Sequence, residues 1–179
     1  MSRMKNALIA FGTTAAIAAG IVLSPALAQT SSLKGHNSNA PVDVAADRIE
    51  VQDRADRAVF SGNVQVKQAE LSLSAARLTV AYSNSGGIQI ERLDASGGVT
   101  VRSPSETARG QFAIYDLNRR IITMIGGVTL TRGQNHVKGG RLVLDLDSGR
   151  AVMDGGAPAG TTSQGGRVTG TFTVPQKRD

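Results

Sequence analysis

The sequence predicts an all-β protein, a sandwich or jelly roll of stacked short strands in two facing sheets. Apolar and polar residues alternate along most of the chain from Pro41 onward, as expected of strands with one buried face. No part of that region carries the sustained apolar stripe of a helix. A glycine motif recurs along the chain, which indicates that one strand unit is repeated and stacked.

The N-terminal residues have the organisation of a secretory signal peptide. Arg3 and Lys5 precede a run of small apolar residues from Ala7 to Leu23, and Ala26-Leu27-Ala28 supplies a cleavage pattern. We therefore expect cleavage after Ala28 and export to the periplasm. The alternative is an uncleaved membrane anchor, for which the glycine and threonine residues within the run are unfavourable.

The composition excludes several kinds of site. The chain has no cysteine, which excludes thiol nucleophiles, iron–sulfur clusters and thiolate zinc sites. An exported chain without disulfides depends on packing and sheet hydrogen bonds. Removing the two basic residues of the predicted signal peptide lowers the net charge from +6 to +4. The remaining basic residues are scattered and lack interleaved aromatics, so no nucleic acid partner is expected.

Three copies of a glycine motif set the register of the repeat. Residues 62–66, 97–101 and 126–130 read Gly-Asn-Val-Gln-Val, Gly-Gly-Val-Thr-Val and Gly-Gly-Val-Thr-Leu, and Gly155-Gly156 opens a fourth copy that does not continue. Glycine reaches positive φ without steric cost, so each motif predicts a corner between two strands. Because one unit cannot bury its own apolar face, we expect stacking into two facing sheets of about six strands each.

The repeat and the shifts in composition divide the chain into six segments. Polar residues precede the repeat, and small residues dominate before the last strand-like stretch. The predicted segments are a signal peptide (1–28), a disordered lead-in (29–40), the β jelly roll (41–156), a glycine-rich linker (157–166), a terminal strand (167–175) and a basic tail (176–179).

Apolar residues in the strand register predict which side chains face the interior. This pattern fits a packed core and a ligand groove equally well. The predicted interior residues are Ile49, Val51, Phe60, Val64, Val66, Leu78, Val80, Leu93, Val99, Val101, Tyr115, Ile122, Met124, Val128, Leu130, Leu142, Leu144 and Met153.

Polar residues that could carry chemistry are few and isolated. Asp145 and Asp147 flank Leu146 before a predicted turn, and no third ligand is apparent, so a solvated turn is favoured over a metal site. His36 lies in the lead-in and His136 in a predicted hairpin, without a nucleophile or carboxylate spaced for a triad. The sequence therefore predicts neither a catalytic residue nor a metal centre.

Three segments resemble the LptA/OstA family. Residues 60–68, Phe-Ser-Gly-Asn-Val-Gln-Val-Lys-Gln, are similar to its F-x-G-N-V-x-V-x-Q segment. Residues 110–116, Gly-Gln-Phe-Ala-Ile-Tyr-Asp, are similar to its small-x-x-A-x-Y-D segment. Residues 167–175 are similar to its terminal strand, so the resemblance extends over about residues 42–175.

The resemblance implies an antiparallel, OstA-like β jelly roll of stacked short strands with an open-ended groove between its two sheets. It also implies that this groove carries the acyl chains of lipopolysaccharide across the periplasm, without enzymatic activity or a cofactor. On this interpretation the predicted interior residues are the lipid-binding residues. The implied partners are an inner-membrane-anchored relative, the N-terminal domain of an outer-membrane translocon, and further copies of the chain in head-to-tail contact. Arg77 and Arg102 are candidates for contact with cargo phosphates at the groove mouth.

The first and last strands are the predicted partner edges. An edge strand leaves a row of backbone N–H and C=O groups unpaired, which favours addition of another strand. The residues expected at these edges are Val42, Val44, Ile49, Val168, Phe172 and Val174.

Other functions remain open from the residues alone. The membrane-anchored relative of the family would keep its N-terminus. A polysaccharide-binding β-solenoid or a structural periplasmic protein would share the strand pattern, although a solenoid enzyme would need carboxylates clustered on one strand face.

Overall fold

A computed structural model describes residues 36–156 and 166–174. The predicted signal peptide, residues 157–165 and the basic tail lie outside these ranges. The described residues form one 3-10 turn, Asp53–Ala55, and ten strands: β1 (Asp43–Ala45), β2 (Arg48–Gln52), β3 (Arg57–Gln68), β4 (Leu71–Ser83), β5 (Gln89–Arg102), β6 (Glu106–Asp116), β7 (Ile121–Arg132), β8 (Asn135–Asp145), β9 (Arg150–Asp154) and β10 (Thr169–Thr171).

The strands form one antiparallel sheet that does not close on itself. Its order is β1-β3-β4-β5-β6-β7-β8-β10, with β2 also paired to β3 and β9 also paired to β8. Strands adjacent in sequence are adjacent in the sheet from β3 to β8, because each is joined to the next by a hairpin turn. The predicted all-β antiparallel class is confirmed.

The glycine motifs bend the long strands instead of ending them. On β3 the inward residues Phe60 and Val64 are four positions apart, whereas on β4 Ala75 and Leu78 are three apart. One extra residue on one strand is a β-bulge, and Gly62 (φ 77°) accommodates the bend. Equivalent register shifts occur where β5 and β7 pair with their neighbours.

The line of bulges divides the sheet into two halves that face each other. The first half-sheet comprises residues 48–61, 77–83, 89–96, 112–116, 121–125, 141–145 and 150–154. The second half-sheet comprises residues 43–45, 64–68, 71–75, 99–102, 106–110, 128–132, 135–139 and 169–171.

Strand number and length differ from the sequence prediction. Each half-sheet has eight strand segments where about six were expected, since β3 to β8 pass through both halves. These six strands are 11 to 14 residues long. The expected short strands are therefore the two arms of longer bent strands.

Side chains from both half-sheets fill most of the interior. Leu78 and Met124 of the first half-sheet and Val64 and Val99 of the second are at most 1% exposed. All four belong to one cluster of buried residues. The interior is thus a packed core over the central strands.

Residues 36–40 have defined contacts, although a disordered lead-in was expected there. The side-chain amide of Gln68 donates hydrogen bonds to the carbonyl oxygens of Ser38 and Ala40, at 2.9 and 3.0 Å. Arg120 Nη2 donates to Asn39 Oδ1 at 3.3 Å. Gln68 is buried, and a buried amide requires acceptors. This short segment supplies them and lies between turns of the two half-sheets.

The fourth copy of the repeat continues, contrary to the sequence interpretation. β9 pairs with β8 along residues 141–145, and β10 pairs with the same strand along residues 136–138. Thr169 pairs with Lys138, which also pairs with Thr129 of the third copy on its other side. The backbones of Gly155 and Gly166 lie against each other. The chain between them is therefore an insertion at the corner of the fourth copy.

Candidate functional site

The interior opens into a cavity at the end of the stack formed by β7 to β10. Its volume is about 300 Å³. Both half-sheets and the C-terminal segment contribute to its wall. The lining residues are Glu106, Leu130, Arg132, Asn135, Val137, Leu142, Ala151, Met153 and Phe172.

The apolar walls of this cavity follow from strand pairing. Leu130 and Val137 are register partners in the second half-sheet, and Leu142 and Met153 are partners in the first. Each pair points inward, so the two walls face each other across the opening. Phe172, 55% exposed, lies at the end of the stack. Aliphatic and thioether side chains bind apolar groups without directional preference, which suits a hydrocarbon ligand.

A charged pair gives the cavity one polar side. Glu106 and Arg132 are register partners on β6 and β7, and their side chains form an ion pair. The Glu106 side chain is 4% exposed and that of Arg132 is 31% exposed. A buried carboxylate requires a cationic or hydrogen-bonding partner, and Arg132 supplies one. The cavity therefore joins an apolar surface to a guanidinium group.

The interior over the central strands is closed. The space between Val42, Leu71 and Tyr115 is only about 10 Å³, room for about one water molecule. Burial raises the pKa of Tyr115, and its hydroxyl donates a hydrogen bond to Gln68. A ligand of any size would have to displace side chains there.

The structure brings most of the predicted interior residues together. Phe60, Leu130 and Met153 are partly buried, whereas Ile49 and Val51 of β2 are 55% and 57% exposed on the same face of the sheet. Leu130, Leu142 and Met153 line the large cavity. Leu142 is also buried, as are the remaining predicted residues: Val64, Val66, Leu78, Val80, Leu93, Val99, Val101, Tyr115, Ile122, Met124, Val128 and Leu144.

Sequence reasoning missed the polar side of the cavity. On β6 the side chains that point inward are at even-numbered positions before the corner, Glu106 and Ala108. After the corner they are at odd-numbered positions, Ala113 and Tyr115. Counting back from Tyr115 in steps of two places Glu106 on the wrong face. A step of three residues across the corner, as on β4, would have identified Glu106 as an inward carboxylate.

Two arginines proposed for the groove mouth do not face the interior. Arg77 precedes the buried residue Leu78, and Arg102 follows the buried residue Val101. Both side chains therefore point to the outer surfaces of the sheet. The suggestion that they meet a cargo held between the half-sheets is not supported by this geometry.

The isolated polar residues have local structural partners. Asp145 Oδ1 accepts hydrogen bonds from the backbone N–H groups of Asp147 and Ser148, both at 3.0 Å, and the bond from Ser148 contributes most to lowering the pKa of Asp145. Asp147 pairs with Arg120 at 2.9 Å. Within residues 36–156 and 166–174, no group of three or more histidine, aspartate or glutamate side chains could hold a metal ion.

The two histidines lie far apart on the sheet. His36 Nε2 is 3.2 Å from Gln68 Oε1 at the N-terminal segment. His136 is exposed on β8, and its Nδ1 is 3.1 Å from Thr131 Oγ1. Neither contact involves a carboxylate, the third group that a catalytic triad requires.

The predicted partner edges lie at the two ends of the sheet. Val44 is on β1, and Ile49 is on β2, next to β3. At the other end Val168 and Phe172 flank β10, and they are 43% and 55% exposed. Val42 and Val174 lie just outside the strands, Val42 partly buried and Val174 73% exposed.

No helix in the part of the chain that the structure describes has the length and hydropathy needed to span a bilayer.

Comparison with known proteins identifies relatives of this chain by sequence. The chain is 31% identical over 151 residues to an uncharacterised protein of Rhizobium meliloti (strain 1021), covering 78% of this chain and 81% of that protein. It is 28% identical over 139 residues to the LPS-assembly protein LptD of Saccharophagus degradans, covering 77% of this chain. The matched region spans only 15% of that LptD.

A solved structure shares the fold. The crystal structure of LptH, the LptA homologous periplasmic component of the lipopolysaccharide transport device of Pseudomonas aeruginosa, matches with a TM-score of 0.68 and 18% identity, covering 78% of this chain and 99% of LptH. The sequence profile of the family described as LptA/(LptD N-terminal domain) LPS transport protein matches residues 43–150. This match includes β1 to β8, more than half of the chain, and the chain therefore belongs to the LptA/(LptD N-terminal domain) family of LPS transport proteins.

Proposed function

We propose that this chain is a periplasmic carrier that holds the acyl chains of lipopolysaccharide between its half-sheets and passes them from inner-membrane to outer-membrane components. The observation that carries the proposal is the apolar cavity of about 300 Å³ at the β7–β10 end of the interior. Membership of a family of LPS transport proteins supports the choice of lipid.

Burial of hydrocarbon drives the proposed binding. Each Å² of apolar surface removed from water contributes roughly 25 cal/mol, without requiring a specific geometry. The cavity lies at the lower end of the about 300–1,000 Å³ typical of small-molecule sites, so a long acyl chain requires the walls to separate further. The two half-sheets are joined at the bulges. Their walls can therefore separate without breaking the backbone hydrogen bonds between strands within either half-sheet.

Head-to-tail contact would extend the cavity from one copy to the next. The inward face of β2 exposes Ile49 and Val51 at one end of the stack, and Phe172 is exposed beside the cavity at the other. Joining these ends would bury apolar surface and pair the edge strands. The proposed partners are further copies of the chain, an inner-membrane-anchored relative and the N-terminal domain of an outer-membrane translocon. A family that includes both LptA and the LptD N-terminal domain supports such contacts.

Site-specific photo-crosslinking in cells tests the proposal. A crosslinker at Leu130, Val137 or Met153 should capture lipopolysaccharide, because these positions line the cavity and are not fully buried. A crosslinker at Val152 is the matched control: Val152 is apolar and adjacent to Met153 but points to the outer face. Thr123, outward between two buried residues of the first half-sheet, is a second control.

Capture at the cavity positions with little at Val152 and Thr123 is the expected result. Equal capture at Met153 and Val152 would show that lipid contacts the surface without selecting the interior, and the proposed carrier mechanism would be rejected.

A further inference from the structure

The outer face of the second half-sheet has an unusual composition. Residues between the buried positions of these strands point outward, and the register arranges them in two rows across the sheet. The row nearer the hairpin turns is Asp43, Lys67, Ser72, Arg102, Thr107, Thr131, His136 and Thr171. The row nearer the bulges is Ala45, Gln65, Ser74, Thr100, Arg109, Thr129, Lys138 and Thr169.

Hydroxyl groups and cations dominate these rows. Eight of the outward residues are serine or threonine, and four are lysine or arginine. From β3 to β10 the described outward positions include no carboxylate and no large apolar side chain. Asp43, on the edge strand β1, is the one acidic residue in either row. We call this surface the cationic face.

The cations of this face lack the ion pairs found elsewhere on the sheet. Among the described residues, Lys67, Arg102, Arg109 and Lys138 form no salt bridge with a carboxylate. On the outer face of the first half-sheet, by contrast, cations and carboxylates are mixed. Six arginines accompany five carboxylates there, and two pairs are in contact: Arg92 with Asp94 at 2.7 Å and Arg141 with Asp154 at 3.9 Å. Cations thus outnumber carboxylates four to one on the outer surface of the second half-sheet, whereas the two nearly balance on that of the first.

The register also determines the extent of the cationic face. Lys67 lies on β3 and Lys138 on β8, five strand spacings apart, and strands are about 4.8 Å apart, so the cations extend over about 24 Å. Arg102 and Arg109, on β5 and β6, lie between them. The face is the outside of a sheet rather than a cleft, and it carries no phenylalanine, tyrosine or tryptophan on which successive bases could stack.

We propose that the cationic face docks the protein on the surface of an anionic phospholipid membrane. A broad sheet of separated cations matches a layer of phosphate groups, and the serine and threonine hydroxyls are donors to the same oxygens. Without apolar anchors, binding is electrostatic and reversible. The face is separate from the interior and leaves it unobstructed, so docking does not depend on the proposed acyl-chain binding.

Vesicle co-sedimentation tests this docking surface. The protein, purified in the form that cells accumulate, is mixed with vesicles of equimolar phosphatidylglycerol and phosphatidylcholine, or of phosphatidylcholine alone. The variant Arg102→Gln/Arg109→Gln removes two cations of the cationic face. The control variant Arg92→Gln/Arg141→Gln removes the same charge from the other outer surface.

Selective binding to the anionic vesicles is expected, with loss near about 1 M salt. The Arg102/Arg109 variant should bind about thirtyfold more weakly, because each cation near an anionic surface contributes about 1 kcal/mol, and the control should change less than about twofold. Equal weakening by both variants, equal binding to neutral vesicles, or no binding to anionic vesicles would overturn the proposal. Stronger binding to the acidic polysaccharide heparin than to anionic vesicles would overturn it too, by assigning the face to a soluble polyanion.

Discussion

The hydroxyl of Tyr115 donates a hydrogen bond of 2.9 Å to the side-chain oxygen of Gln68. Tyr115 belongs to the first half-sheet and Gln68 to the second, so the bond crosses the interior. The amide nitrogen of Gln68 also donates to the carbonyl oxygens of Ser38 and Ala40. One buried side chain therefore joins both half-sheets to the N-terminal segment, in the closed part of the interior.

Replacing this amide should destabilise the protein. Gln68→Met keeps similar volume but leaves the Tyr115 hydroxyl and two carbonyl oxygens without their present partner. Each buried polar group that loses a hydrogen bond costs about 1–3 kcal/mol, so the free energy of unfolding should fall by about 2 kcal/mol or more. Urea denaturation, monitored by far-ultraviolet circular dichroism, measures this free energy of unfolding.

The control for this variant is Gln65→Met. Gln65 is exposed on the same strand, so its replacement should change stability by less than about 0.5 kcal/mol. Similar losses in both variants would mean that the contacts of Gln68 are not responsible.

Tyr115 should also contribute to alkaline unfolding. Burial raises the pKa of Tyr115 above its ordinary value of 10.0, so the folded state favours the neutral phenol. That contribution is fully present below pH 10 and is lost as the pH rises through the folded-state pKa. The urea midpoint should therefore fall above pH 10 in the parent protein and fall less in Tyr115→Phe.

Absorbance at alkaline pH provides the independent measurement. The chain has two tyrosines and no tryptophan, so the Tyr115→Phe variant reports on Tyr82 alone. If both proteins lost stability in parallel between pH 9 and pH 11, groups other than Tyr115 would determine the alkaline limit.

The C-terminal strand should be needed for assembly and not for folding. Deleting Gly166–Asp179 removes β10, which pairs with β8 at only three residues, and leaves β1 to β9 intact. We expect the truncated protein to keep its β circular dichroism but to lose concentration-dependent self-association and binding to the outer-membrane partner. Analytical ultracentrifugation and a pull-down measure these two properties. If the truncated protein still self-associated and bound the outer-membrane partner, the C-terminal edge would not be the contact surface.

Export should remove the first 28 residues. The basic start, the apolar run and Ala26-Leu27-Ala28 predict cleavage before Gln29. Intact-mass analysis of the periplasmic fraction should give a chain beginning at Gln29. Recovery of the chain with Met1 from the membrane fraction would favour the anchored relative.

Much of the fold follows from local pattern. The alternation around Leu78 and Leu93 identified inward positions that are buried, because a strand places every second side chain on one face. Gly97-Gly98 marked a corner because both residues adopt positive φ, which disfavours other residue types. These relationships involve residues within a few positions of each other, so the sequence was sufficient to predict them.

Tertiary structure decided the features that depend on distant partners. Val99 is 1% exposed in the core, whereas Met153 is partly exposed at the cavity. The alternation of apolar residues cannot distinguish these two positions, because their exposure depends on how many neighbouring strands cover each side chain. The inward position of Glu106 depends on a bulge in the neighbouring strand, which changes the parity across the corner. The fourth copy resumes only because Thr169 pairs with Lys138 after the insertion. Non-local strand pairing, which no single segment encodes, created the cavity and its polar side.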